Sequence, residues 1–402
     1  WQAHKRQNIG AYSMSSDDSD TALSEAQRLK QQKSGLLPSG LSDVLYPQSE
    51  QNDHARMAVM SAIAQFGYQL VSPPLIEFEE TLVDDVMGAS LSTQTFRLLD
   101  PISRRMMGVR ADMTAQMARI SGTRLAHLPR PLRLAYHGDV LRVVPELLNP
   151  ERQMAQAGAE IIGRDDDAAA LEILLVGITA LKAASIGALT VDLSLPQLTE
   201  IMLAQSKQPD QLAELVDQRN ISALADSDQP EAGMLARILQ ASGNDIDRLK
   251  AVASELPAPV ASQLERLTSL AEQIIALDDD ISVTLDPLDR QGDGYHSSIG
   301  FAVYSEGSRG AIAAGGAYVT PYQEPAIGLS IYMERVQRIL PAPHIQEQLY
   351  IAANAGSATA LKYIRTGRRI IMGSPDANPD EEARNLGCKF IVRSAQSEPE
   401  QL

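Results

Sequence analysis

The sequence predicts an α+β fold: a strand-rich domain interrupted by a run of helices, then a small α/β domain. Three observations carry this. Stretches at 132–136, 154–162, 281–286 and 326–332 have strand patterning, 196–277 switches to helical spacing punctuated by Pro and Gly, and 345–402 alternates β-α-β-α-β. The expected boundaries are 1–34 for a weakly ordered amino-terminal segment, 35–341 for the first domain with 196–280 as its helical insertion, and 345–402 for the second domain. Pro341, Ala342 and Pro343 form the linker.

Residues 1–34 are polar and lack a sustained apolar period, so disorder or weak helix is expected, with Met14 as the native start and Trp1–Ser13 as an addition. The turn-rich 35–43 leads to a helix after Pro47 whose stripe is Ala55, Ala58, Val59, Ala62, Ile63 and Phe66, ended by Gly67. YQLVSPP at 68–74 reads as a strand stopped by Pro73 and Pro74, its apolar residues serving a core or a subunit interface. RADMT at 110–114 precedes a helix carrying Met113, Met117 and Ile120, and 132–136 alternates as a strand. Asp165 is placed to cap a helix bearing Leu171, Leu174, Leu175, Ile178 and Leu181, with Gly187 closing it before a strand at 188–193. After the insertion come strands at 281–286 and 295–304, a glycine-rich return at 310–316, a strand at 326–332 and a helix from Met333.

The chain is organised around 132–163, and within it around Met154–Ile162. With the two-residue period of a strand, Met154, Gln156, Gly158, Glu160 and Ile162 share one face, while Ala155, Ala157, Ala159 and Ile161 share the other. The small apolar face packs inward and the polar face looks into open space. Gln156 and Glu160 then stand roughly 13 Å apart along the strand, with Gly158 leaving a gap between them about the size of one amino acid. The alternative on spacing alone is an edge strand whose polar face meets water.

Composition narrows the function. The formal net charge is −16, and Asp210–Asp280 holds fourteen acids against five bases, which opposes binding of a polyanion. No apolar run approaches the ~20 residues that span a bilayer, and no secretory layout opens the chain, so a cytoplasmic protein is expected. The single cysteine, Cys388, excludes an internal disulfide, and none of the six histidines forms a zinc-spaced pair, so neither a metal nor a cofactor is expected. The acids of GRDDDA at 163–168 read as partners of a helix dipole. Lys362, Arg365, Arg368 and Arg369 are balanced within 341–402 by as many acids as bases, so they read as a solvated face or a protein contact.

Taken in order, GYQLVSPP, RADMT, Leu141-Arg142 with ERQMAQAGAEIIG at 151–163, and AIGLSIYMERV at 326–336 follow a known succession. Over Gly35–Pro341 the chain resembles the catalytic domain of class II histidyl-tRNA synthetases, and more closely their non-catalytic paralogues, the regulatory subunits of ATP phosphoribosyltransferase. The resemblance implies an antiparallel class II aminoacyl-tRNA synthetase-like sheet and self-association through the 68–74 strand. It implies a short-form catalytic subunit as partner in a hetero-octamer, and histidine, the end product of the pathway, as effector. It also places Asp112, Thr114, Arg142, Gln156, Glu160, Tyr295 and His296 around the amino acid. Asp112 read alone fits a helix or turn cap equally.

Departures from the synthetase pattern point away from catalysis. Adenylation needs cations on the α-phosphate and an aromatic ring under the adenine. Arg142 and Arg335 remain, but Val144, Met154, Gln291 and Ala317 stand where the resemblance leads one to expect a glutamate, a phenylalanine and two arginines. Losing one preorganised donor costs about 10²–10³ in rate, so the resemblance implies no catalytic residue in this chain. The rivals are a divergent histidyl-tRNA synthetase or amino acid ligase, and a stand-alone amino acid sensor or scaffold.

Overall fold

The computed structural model describes residues 35–82, 89–145, 149–204, 206–290, 296–343 and 345–402. The sequence-predicted positions Gln291 and Tyr295 lie outside them, as does the 1–34 segment. The chain divides into two compact units, Trp1–Ser42 and Asp43–Leu402. In the first, the Leu41 amide donates to the Pro38 carbonyl to close a turn. Everything below belongs to the second.

The elements follow in chain order: α1 (Gln48–Gln65), β1 (Gln69–Leu70), β2 (Ile76–Phe78), α2 (Glu79–Leu82), α3 (Ala89–Gln94), β3 (Phe96–Leu99), β4 (Met106–Val109), α4 (Thr114–Gly122), β5 (Leu132–Leu141) and β6 (Gln153–Ile162). Next come α5 (Asp167–Ala183) and β7 (Leu189–Ser194). The helical insertion is α6 (Leu198–Leu203), α7 (Pro209–Asp217), α8 (Ile221–Ala225), α9 (Pro230–Ala241), α10 (Ile246–Ala253) and α11 (Ala258–Ile275). Then β8 (Ile281–Leu285), β9 (Gly300–Ser305), β10 (Ala313–Val319), β11 (Pro325–Tyr332) and α12 (Met333–Ile339) complete this part. The remainder is β12 (Gln348–Ile351), α13 (Gly356–Arg365), β13 (Arg369–Met372), α14 (Pro379–Asn385), β14 (Phe390–Val392) and β15 (Glu400–Gln401).

One eight-stranded sheet runs β1-β5-β6-β11-β10-β9-β7-β8. Its inner pairs are antiparallel, and the pairs at its two edges, β1 with β5 and β7 with β8, are parallel. The strand expected within 68–74 and stopped by Pro73 and Pro74 is regular over Gln69–Leu70 only, with one further bond from the Val71 amide to the Ala135 carbonyl ahead of the prolines. Three strands, β2-β4-β3, form a small second sheet, and β13-β12-β14-β15 a third whose first three strands run parallel.

The main core lies on one face of the large sheet, where Val59 and Ile63 of α1 and Ile173, Leu174 and Leu181 of α5 are buried. Each fully buried Ile or Leu contributes roughly 1.5–3 kcal/mol relative to exposure. The insertion extends this same core through Leu235, Leu264 and Leu267.

The cap of α5 is Asp166 rather than Asp165: its carboxylate accepts from the Ala169 amide at 3.0 Å. Of three consecutive acids, only the one directly before the first helical residue can reach that amide. Asp166→Ala is expected to cost about 1 kcal/mol, read as a lower unfolding midpoint in urea; its exposed pairing with Arg164 adds little. The helix stops at Ala183, where Ser185 takes a positive φ of 65°, so Gly187 is not the terminator.

Candidate functional site

β6 lies inside the sheet, between β5 and β11, so the edge-strand alternative falls away. Its alanine face joins the α1 and α5 core as expected. The polar face differs from expectation: α4 and the segment leading into it cover it, leaving Gln156 3% and Glu160 1% exposed. Met113, Met117, Leu134, Met154, Ile162 and Tyr318 form the apolar surround.

A cross-strand row of partners runs Leu134, Glu160, Gly328, Gly316, Gly300, Ser194. The three glycines make a low floor. A Cβ on Gly328 would overlap the Glu160 carboxylate, and one on Gly316 would meet the His296 ring, so both side chains lie flat on the sheet. The gap above Gly158 is not open: the hydroxyl end of Tyr136 fills it.

Hydrogen bonds knit these groups together. The Met113 amide donates to Gln156 Oε1 at 3.0 Å, and Gln156 Nε2 donates to Asp112 Oδ2 and to Ser330 Oγ, each at 2.8 Å. The Ser330 and Tyr136 hydroxyls are 2.9 Å apart. Tyr318 donates to Glu160 Oε2 at 3.0 Å, and Thr114 and Tyr136 also hydrogen-bond to Glu160. Asp112 serves both readings at once, since its Oδ1 accepts from the Thr114 amide at 2.7 Å while Oδ2 holds Gln156.

Burial pushes the Glu160 carboxyl up to about 8, the nearby charge of Asp112 pushes the same way, and the hydroxyl donors oppose both. Burial brings His296 down to about 4 against a bond to the Ala317 backbone, so its ring is neutral. Burial, with Glu160 and Asp112, raises Tyr136 well above its ordinary value. The site is thus acid-rich and apolar-walled, suited to a ligand that brings positive charge and hydrogen-bond donors.

The structure brings together Asp112, Thr114, Gln156, Glu160 and His296. Arg142 stands apart, pairing its backbone with Arg152 four residues beyond the Gln156–Gly138 pair, roughly 13 Å along the strand. Arg335 donates to the Ala311 carbonyl at 2.7 Å and stacks over Tyr332. Ala317 is turned into the helix-backed core, on the opposite face, so a long side chain there would not reach this cluster. Tyr136, Tyr318 and Ser330 escaped sequence reasoning, because only strand pairing aligns Tyr136 and Ser330 with Gly158. Among the described residues, no group of three or more His, Cys, Asp or Glu is placed to hold a metal ion. No described helix is long and apolar enough to cross a membrane.

A family profile described as histidyl-tRNA synthetase matches residues 40–336. An ATP phosphoribosyltransferase regulatory subunit from Paramagnetospirillum magneticum is 37% identical over 360 residues, 88% of this chain and 95% of that protein. The chain belongs to the ATP phosphoribosyltransferase regulatory subunit family. Solved structures agree on the fold of these regulatory subunits. One described as an ATP phosphoribosyltransferase regulatory subunit/histidyl-tRNA synthetase from Bacillus halodurans aligns with a TM-score of 0.77 at 21% identity, over 90% of this chain and 98% of that one. The ATP phosphoribosyl transferase (HisG:HisZ) complex from Thermotoga maritima gives 0.56 at 19% identity, over 72% and 98%.

Proposed function

We propose that this regulatory subunit carries out no chemistry of its own and makes a short-form catalytic subunit of ATP phosphoribosyltransferase active and sensitive to histidine, at the first step of histidine biosynthesis. The observation that carries the reading is the closed acid-rich cluster on β6, in which Glu160, Asp112 and Gln156 are held by one another, a backbone amide and hydroxyls, with no Arg or Lys among their hydrogen-bond partners in the described residues, whereas adenylation requires cations. Met154, where a stacking ring would be needed, is buried in the apolar surround.

On this reading histidine binds among Asp112, Thr114, Gln156, Glu160, Tyr295 and His296. Its positive groups meet the two acids, and Arg142 at the far end attracts its carboxylate. Ligand charge then replaces the proton on Glu160. Coupling of about 1–3 kcal/mol between this site and the partner suffices for useful regulation. A second copy of the chain is proposed to pair along β1, which ends the large sheet and leaves Leu70 56% exposed. The acidic insertion argues for a protein partner and against nucleic acid.

The test is to mix the purified chain with a short-form catalytic subunit and follow formation of phosphoribosyl-ATP with and without histidine. Turnover is expected to rise on mixing and to fall when histidine is added. Histidine-dependent exchange of pyrophosphate into ATP by the chain alone would overturn the reading in favour of a synthetase.

A further inference from the structure

We propose that Ser330 is a positioning residue: through Tyr136 it orders the hydroxyl protons between Gln156 and Glu160, joining the two ends of the cluster by one directed chain of hydrogen bonds. This rests on the amino acid-binding reading for its ligand readout, but its first test needs no ligand.

The direction of the first links follows from donors that have no choice. The Met113 backbone amide can only donate, so the Gln156 carbonyl oxygen must face it. Both amide hydrogens of Gln156 are therefore committed, one to Asp112 Oδ2 and one to Ser330 Oγ. Ser330 Oγ, having accepted, has its own proton to give, and the Tyr136 oxygen lies 2.9 Å away. When Ser330 donates there, the phenol proton of Tyr136 goes to Glu160, whose carboxylate is a stronger acceptor than the Thr114 hydroxyl that also bonds to Tyr136. Each bond in such a series polarises the next, which strengthens the last donor toward an ionised carboxylate.

Without the Ser330 hydroxyl, the phenol oxygen of Tyr136 loses the donor that polarises its proton toward Glu160, and Tyr136 becomes a weaker donor to that carboxylate. Gln156 also loses an acceptor and is left with a buried N–H. Ser330 is well anchored for the role, since it pairs with Gly158 on the neighbouring strand, directly beneath the end of the Tyr136 ring. The groups facing Glu160 from each element packed on it are Asp112 and Thr114 at the start of α4, Tyr136 on β5 and Tyr318 on β10; His296 lies over the next glycine of the row. Among them Tyr136 is the one tied to Ser330.

The experiment compares wild type, Ser330→Ala and Ser330→Thr. The titration of Glu160 in the empty chain is followed by carboxyl-carbon NMR on glutamate-labelled protein, with the signal assigned by its loss in Glu160→Gln. Ser330→Ala is expected to move that titration up by about one pH unit, and Ser330→Thr to restore it. Calorimetry with histidine should show affinity reduced about tenfold at pH 7 in Ser330→Ala, with the deficit closing above pH 9, where Glu160 is ionised in both proteins. An unmoved titration in Ser330→Ala, or an equal shift in Ser330→Thr, overturns the proposal. A shifted titration in a wild-type background that binds no histidine would leave the proton chain intact and remove the functional reading instead.

Discussion

Glu160→Gln is expected to lower histidine affinity by about 10²–10³ at pH 8 while making the empty protein more stable at that pH. The two effects share one cause. The amide keeps the shape over Gly328 and can still accept from Tyr318, but it can never carry charge. A buried ion pair that loses one partner costs about 3–5 kcal/mol, and each 1.4 kcal/mol is a factor of ten in affinity. In the empty site the sign reverses. The folded Glu160 carboxyl is raised from 4.5 to about 8, so its contribution to stability is complete below pH 4.5 and is lost as pH rises through 8. Gln has no such loss. His296 slopes the other way: lowered from 6.5 to about 4, it contributes above pH 6.5 and loses that contribution as pH falls towards 4. Thermal unfolding from pH 4 to 9 should therefore show the alkaline decline flattened in Glu160→Gln and the acid decline retained. Calorimetry showing wild-type affinity for histidine in the variant would refute the pocket assignment.

How far the sequence could be read depended on the range of the interaction. Parity along 154–162 gives the correct face to every residue, and the α1 stripe at Ala55, Val59, Ala62 and Ile63 is buried, because both are local consequences of backbone period. What covers a face is a matter of distant pairing. Nothing near Gly158 announces that Tyr136, on another strand, will lie over it, or that α4 will close the polar side. Short elements were also beyond reach: β2 is three residues after two prolines, and β15 is two polar residues paired with β14 along the backbone and through Glu400 with Arg393 just beyond it. The misplaced cap on α5 has the same origin, since three adjacent acids differ only in which one the helix register brings to the Ala169 amide.

Gly158→Ala is expected to cost at least 3 kcal/mol in urea unfolding. A Cβ at this position would fall on the Leu329 carbonyl oxygen and on the end of the Tyr136 ring. Neither yields readily. The carbonyl belongs to β11, antiparallel to β6 along seven paired residues, and Tyr136 is fully buried with its hydroxyl held by Ser330. Overpacking usually costs 1–3 kcal/mol, and two rigid obstacles put this case at or above that limit. Gly233→Ala is the matched control. It lies inside α9 with nothing within 4 Å of the new methyl, so it should stabilise by about 0.5–1 kcal/mol. A cost below 1 kcal/mol for Gly158→Ala would mean that β6 and β11 can part without penalty, and that Tyr136 is not fixed in the cluster. Adding Tyr136→Ala separates the two obstacles. If the ring dominates, the double variant loses less than the sum of the singles; if the carbonyl dominates, the costs add. The first outcome would identify the Tyr136 ring as the movable wall of the site, and the second would make the sheet itself the limit on what the cluster can admit.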